Sequence, residues 1–189
     1  MGLALGVVLL VVAVAVAFVY NGLVKLRVLS DNAWADIDVQ LKRRHDLIPN
    51  VVEAVKGYAG HERGTLERVM QARSQAMSAE GPAARGDAEG GLTTALRGLF
   101  ALVEAYPQLR ASEHFAQLQT TLVQVEDAIQ HARRYYNAVV RDFNTRAEQF
   151  PSNLVASLFG FKSREFFQLA NQDEAAVPGV RFPGGGTGL

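Results

Sequence analysis

The chain has 189 residues, with 19 basic and 19 acidic side chains and a formal net charge of zero. No concentrated basic footprint is present, so nucleic-acid binding is not expected. The absence of cysteine removes disulfides, thiol nucleophiles and thiolate-bound zinc. Hydrophobic residues make up 49% of the chain, which suffices for the core of one ordinary domain.

The first element is apolar. No formal charge occurs from Gly2 to Val24, and a helix of that length rises about 34 Å, enough for a hydrocarbon layer of roughly 30 Å. A helix satisfies its own backbone hydrogen bonds in lipid, and Tyr20 sits where an interfacial aromatic belongs. A cleaved signal peptide is the competing reading. It needs a basic leading segment and a shorter apolar run, and neither is found. Lys25 and Arg27 follow the span closely, so the positive-inside rule places the bulk of the chain in the cytoplasm and a short N-terminus outside. Gly2, Gly6, Ala13 and Ala17 fall within about 60° on a wheel of about 100° per residue, a small face that could let spans associate.

Strand signals are nearly absent and helical periodicity is strong, so the fold class is all-α. No Pro or Gly interrupts Leu23 to Ile48, and the membrane helix is expected to run on into the soluble part. From Ile37 its inward positions are Leu41, Arg44, Ile48, Val51, Val55 and Tyr58, alternating steps of four and three. That is heptad spacing, as in long helices packed at shallow angles in an antiparallel bundle. Arg44 is the polar member of this stripe. The simpler expectation puts it at the rim, stem packed and head in water; otherwise it pairs with a carboxylate, for which Glu126 and Asp142 are the candidates. Pro49 removes one helical hydrogen bond, so a kink near His45 is expected.

Gly57 and Gly60 weaken the helix, and a second one is expected over residues 62–79. Gly81, Pro82, Gly86, Gly90 and Gly91 mark residues 81–91 as the best loop candidate. A helix over 92–105 should follow, ending before Pro107. The clearest helix spans 113–148 with Ser112 as its N-cap. Its stripe from Phe115 through Leu118, Leu122, Val125, Ile129, Ala132, Tyr136 and Val139 to Phe143 keeps alternating steps of three and four, as a bundle core requires. After Pro151 comes a short apolar element with Leu154, Val155, Leu158, Phe159 and Phe161, then Phe166 and Phe167. It is expected to fold back and cap the bundle, with docking on lipid or a partner as the alternative. The expected organisation is an anchor over 1–24, a helical bundle over 25–167 and a disordered Gly-rich tail over 168–189.

Several ordered blocks resemble the LemA family of bacterial membrane proteins. They are Tyr20-Asn21-x-Leu23-Val24, Asn32-Ala33-Trp34, Ile37 through Arg44, Asp46 through Asn50, Val55 through Tyr58 with His61-Glu62, and Tyr106-Pro107-x-Leu109. The blocks continue with Phe115-x-x-Leu118-Gln119, Glu126, Ile129, Ala132-Arg133-Arg134-x-Tyr136-Asn137, Phe143-Asn144 and Phe150-Pro151-Ser152. The resemblance implies an N-terminal anchor, a bundle of long helices and a bacterial source, and it implies no settled reaction.

Nothing in the sequence composes a catalytic centre. His61-Glu62 opens like a zinc-protease motif but lacks the second histidine. Asp127 and His131 share a helix face, yet di-metal bundles need Glu-x-x-His on paired helices. No phosphate-cradling or dinucleotide loop occurs. No cofactor, metal or small-molecule substrate is therefore expected. The residues singled out are Asn21, Trp34, Asp38, Gln40, Arg43, Arg44, Asn50, His61, Arg133, Asn137 and Asn144, either fixing packing through mutual hydrogen bonds or presenting a surface to a partner. The expected function is a non-enzymatic, self-associating scaffold in the bacterial inner membrane, in contact with the bilayer and with other copies or a membrane protein; an envelope sensor or adaptor for a membrane enzyme is the alternative, with a metal-dependent enzyme behind it.

Overall fold

A computed structural model describes residues 1–168. Six helices follow one another: α1 (Gly2–Lys56), α2 (Arg63–Ser78), α3 (Pro82–Val103), α4 (Pro107–Arg110), α5 (Glu113–Glu148) and α6 (Ser152–Leu158). A non-helical strap, residues 161–168, closes the described chain. The fold is all-α, with one apolar N-terminal segment long enough to cross a membrane and a packed helical bundle. The tail expected over 168–189 lies outside the described residues from 169 onward.

The apolar segment and the start of the core belong to one unbroken helix of 55 residues. Its N-terminal part is not packed against the other described helices: Leu3, Leu5, Val8 and Leu10 are all exposed. Burial begins at Leu23 and then recurs at Ala33, Ile37, Leu41, Arg44, Ile48, Val51 and Val55, the stripe that the spacing predicts; Tyr58, expected as its next inward position, lies past the end of α1 and is exposed. α1 continues through Pro49 without a break. Proline has no N–H for the His45 carbonyl four residues back. The Arg73 guanidinium of α2 donates to that carbonyl instead, at 2.7 Å, so the freed acceptor stays satisfied.

α5 matches its expected bounds. The Ser112 hydroxyl accepts from the Phe115 N–H at 3.4 Å, capping the first turn. Phe115, Leu122, Val125, Ile129, Tyr136, Val139 and Phe143 are buried along it. Three apolar clusters divide the interior. One joins Ile48, Val51 and Val55 to α2, α3, α4 and the start of α5. The next packs Ala33, Ile37 and Leu41 against Val125, Ile129, Tyr136 and Phe167. The third sets Leu23 against Phe143, Ala147, Val155 and Ala156.

The loop expected over 81–91 is a correction. Gly81, at φ 81°, makes the turn, and Pro82 then opens a helix that runs through Gly86, Gly90 and Gly91 to Val103. The helix expected to start at Leu92 therefore begins ten residues earlier and also ends sooner. Gly86 serves packing and not chain reversal: a Cβ there would lie 2.0 Å from the Gln168 carbonyl oxygen. Gly91 meets open space, and nothing in the structure explains it.

The aromatic C-terminal segment divides in two. Phe167 is fully buried and Phe161 half-buried, so the strap caps the bundle. Phe150, Leu154, Leu158 and Phe159 stay exposed.

Candidate functional site

The polar residues gather in two places. The first is a buried ion cluster. Its centre is Glu89, with no exposed surface. One carboxylate oxygen lies 3.3 Å from Arg44 Nη1 and the other 2.6 Å from His45 Nε2. Arg44 Nη1 also lies 3.3 Å from Glu126 of α5, and its Nη2 donates to the Thr93 hydroxyl at 2.7 Å. That hydroxyl in turn donates to the Glu89 carbonyl at 3.0 Å. Arg44 Nε is buried and has no hydrogen-bond partner among the described residues.

This overturns the rim placement of Arg44, which is only 1% exposed. The reason is desolvation: a buried guanidinium requires countercharge, and α3 and α5 each bring a glutamate to it. Glu126 was one of the two expected partners, whereas Asp142 is exposed. Glu89 escapes a reading of the sequence because the glycines around it mark a loop. A cavity of about 400 Å³ opens beside the cluster, lined by Arg44, Thr93, Leu96, Phe100, Leu122 and Glu126 among others.

The second place is the seat of the strap. Asn137 donates from Nδ2 to the Phe167 carbonyl at 2.9 Å, and its Oδ1 accepts from the Phe167 N–H at 2.9 Å. Asn144 repeats the pattern on Arg164, at 2.9 and 2.8 Å. Each carboxamide thus reads one residue's backbone from both sides, and the two are one heptad apart on α5. The Tyr136 hydroxyl donates to the Glu165 carbonyl at 2.9 Å. Burial raises the pKa of this phenol above its ordinary value; Arg164 opposes the shift, and Glu165 and Asp31 add to it. The Arg164 guanidinium bonds to the Ser30 hydroxyl and the Asp31 carboxylate on α1, and donates to the Arg27 carbonyl at 3.0 Å.

Trp34 stands at the centre of this seat, its ring 5.3 Å from Tyr136 and 5.5 Å from Phe167. Arg85 of α3 lies 5.6 Å over the indole and bonds to Asp38. The structure therefore brings Trp34, Asp38, Asn137 and Asn144 together, with Arg44 in the neighbouring cluster. Gln40 is half-buried and its Oε1 has no hydrogen-bond partner among the described residues. Arg133 is half-buried; Asn21, Arg43, Asn50 and His61 are exposed and lie outside both groups. His45, Arg85, Glu89 and Arg164 are the residues that sequence reasoning missed. Chemically, the two groups tie helices and strap together through charge and hydrogen bonds. Among the described residues, no group of three or more His, Asp or Glu side chains is placed to hold a metal ion.

Fold and site together define a helical-bundle protein with one apolar N-terminal helix suited to a membrane. The chain belongs to the LemA family, whose model matches residues 33–182. It is 27% identical over 175 residues to magnetosome protein MamQ 2 of Paramagnetospirillum magneticum, covering 79% of this chain and 64% of that one. It is 25% identical to magnetosome protein MamQ of Magnetospirillum gryphiswaldense, covering 78% and 64%. It is 27% identical to protein LemA of Metamycoplasma hominis, covering 77% and 67%. The chain thus spans 64% of the length of the magnetosome relatives it matches.

Proposed function

We propose that this protein is a membrane-anchored helical scaffold of the bacterial envelope, without a reaction of its own, that binds further copies of itself or a membrane-protein partner. The observation that carries this reading is the continuity of α1, which runs from an exposed apolar stretch into the core and is locked there by Arg44 to α3 and α5. A helix clamped along its cytoplasmic half transmits position rigidly from membrane to bundle. Gly22 against Arg146 and Arg44 against Glu126 support an antiparallel, heptad-type pairing of α1 with α5. Lys25 and Arg27 support an inner-membrane orientation with the bundle in the cytoplasm and a short N-terminus outside. On this reading residues 1–24 are the anchor, 25–167 the bundle and 168–189 a tail.

Purification in native lipid with particle imaging, together with cross-linking in cells, tests the proposal. Assemblies of several copies, or one recurrent membrane-protein neighbour, are the expected result. Monomeric particles with no cross-linked neighbour overturn it. The same continuity of α1 favours a second reading, a sensor or adaptor that relays state to a membrane enzyme. Exchanging the span for an unrelated apolar one should then abolish function while leaving insertion intact, and unchanged function counts against it.

A further inference from the structure

The exposed apolar residues that follow α5 lie at a definite level of the molecule. Val155 and Ala156 of α6 are buried against Leu23, and Val16, Val19 and Tyr20 pack on the same cluster. The Tyr20 ring lies 4.8 Å from Phe159 and 5.7 Å from Phe161. Those α1 residues belong to the uncharged run that ends at Val24. Phe159 therefore sits level with Tyr20, which at about 1.5 Å per residue is about 7.5 Å nearer the N-terminus than Lys25. That is the depth, roughly 5–10 Å, at which interfacial helices bury their apolar face.

The two faces of α6 differ. Val155 and Ala156 point into the protein. Leu154 is 62% exposed, Leu158 76% and Phe159 51%, and Phe150, just before α6, is 80% exposed. Positive charge borders this patch on the side of the bundle. Lys25, Arg27, Arg146 and Lys162 are exposed there, with Arg146 against Gly22 and Arg27 over the Phe161 ring at 5.3 Å. Glu148 also lies here, its carboxylate accepting from the Ser163 hydroxyl at 3.2 Å.

We propose that α6 is a second membrane contact: Leu154, Leu158, Phe159 and Phe150 insert into the headgroup–acyl boundary of the leaflet nearest the bundle, beside the span, while Lys25, Arg146 and Lys162 face anionic lipid headgroups. The inference rests on the reading of Gly2–Val24 as a span, since it is the span that fixes the bilayer's level. The patch is continuous with the apolar surface of the span, and the charge around it suits an anionic lipid surface. Two contacts hold the bundle at a set tilt, where a single span leaves it able to swivel.

The experiment uses the full chain in vesicles of phosphatidylcholine and phosphatidylglycerol, with part of the phosphatidylcholine brominated near the carbonyl end of its acyl chains. Trp34 is the single native tryptophan and supplies the background. Three variants each add one reporter at an exposed position: Leu158→Trp in α6, Phe18→Trp in the span and Tyr58→Trp just past the C-terminal end of α1. The added emission of Leu158→Trp and of Phe18→Trp is expected to fall by roughly half or more on bromination, with Tyr58→Trp at background, because only side chains within the boundary meet bromine. Quenching of Phe18→Trp with Leu158→Trp at background overturns the inference and leaves the span standing. Background quenching at both positions overturns the span and the inference together. A blue-shifted but unquenched Leu158→Trp assigns the patch to a protein neighbour and likewise overturns it.

Discussion

Glu89 shows how much one charge can decide. It holds Arg44 and His45, and through Arg44 it is linked to Glu126. Replacing one member of a buried ion pair strands the other, at a cost of about 3–5 kcal/mol. Glu89→Ala is therefore expected to lower stability by that order, read as a lower denaturant midpoint of the bundle. Glu126 has a side chain 33% exposed, so water replaces much of what it gives Arg44, and Glu126→Gln is expected to cost about 1 kcal/mol or less. Equal effects from the two variants would contradict the burial order. The asparagines act in a different way. Asn144→Ala removes two hydrogen bonds to Arg164, a loss of about 1–3 kcal/mol, and the strap should loosen locally. Hydrogen exchange is expected to quicken at the Arg164 and Phe167 amides with little change in the middle of α5.

At the scale of elements, α3 carries the sharpest contrast. Gly86 and Gly91 lie in the same helix, yet a Cβ at one meets the Gln168 backbone at 2.0 Å and at the other meets nothing. Gly91→Ala is expected to stabilise by about 0.5–1 kcal/mol, since alanine is the better helix former. Gly86→Ala should displace the strap, seen as faster exchange at Phe167 and loss of the protection of Trp34 from aqueous quenchers. Two alanines in one helix with opposite effects separate propensity from packing. The strap itself is held by the burial of Phe167, worth about 1.5–3 kcal/mol, together with the Asn137 and Asn144 carboxamides.

For the whole molecule, the packing around Tyr136 sets an alkaline limit. Burial raises its pKa in the folded state, while the unfolded chain ionises near the ordinary value of about 10. The raised group contributes stability that is complete below the unfolded pKa and declines as pH rises through the folded one. The bundle is therefore expected to lose stability above about pH 10, with the part of the tyrosinate absorbance that Tyr136→Phe removes appearing together with unfolding. Tyr136→Phe should remove that part of the alkaline loss. Orientation is also a property of the whole chain. Neutralising Lys25 and Arg27 and adding lysines before the span is expected to give mixed or reversed insertion, read by protease access to the bundle in sealed vesicles.

The sequence by itself determined the helices whose register is written in spacing. The α5 stripe and the α1 stripe from Ile37 repeat every three and four residues, and such a pattern buries one face only as a helix. It also determined the apolar run of α1, because length and lack of charge are local properties. Only the tertiary structure decided what glycine meant in residues 81–91, since a glycine that ends a helix and one that admits a neighbouring backbone read alike in sequence. Only it decided the fate of Arg44, whose burial depends on Glu89 being brought from 45 residues away. The partners of Asn137 and Asn144 were hidden for the same reason: they are backbone groups of a strap without periodicity, and a backbone group has no signature in the sequence.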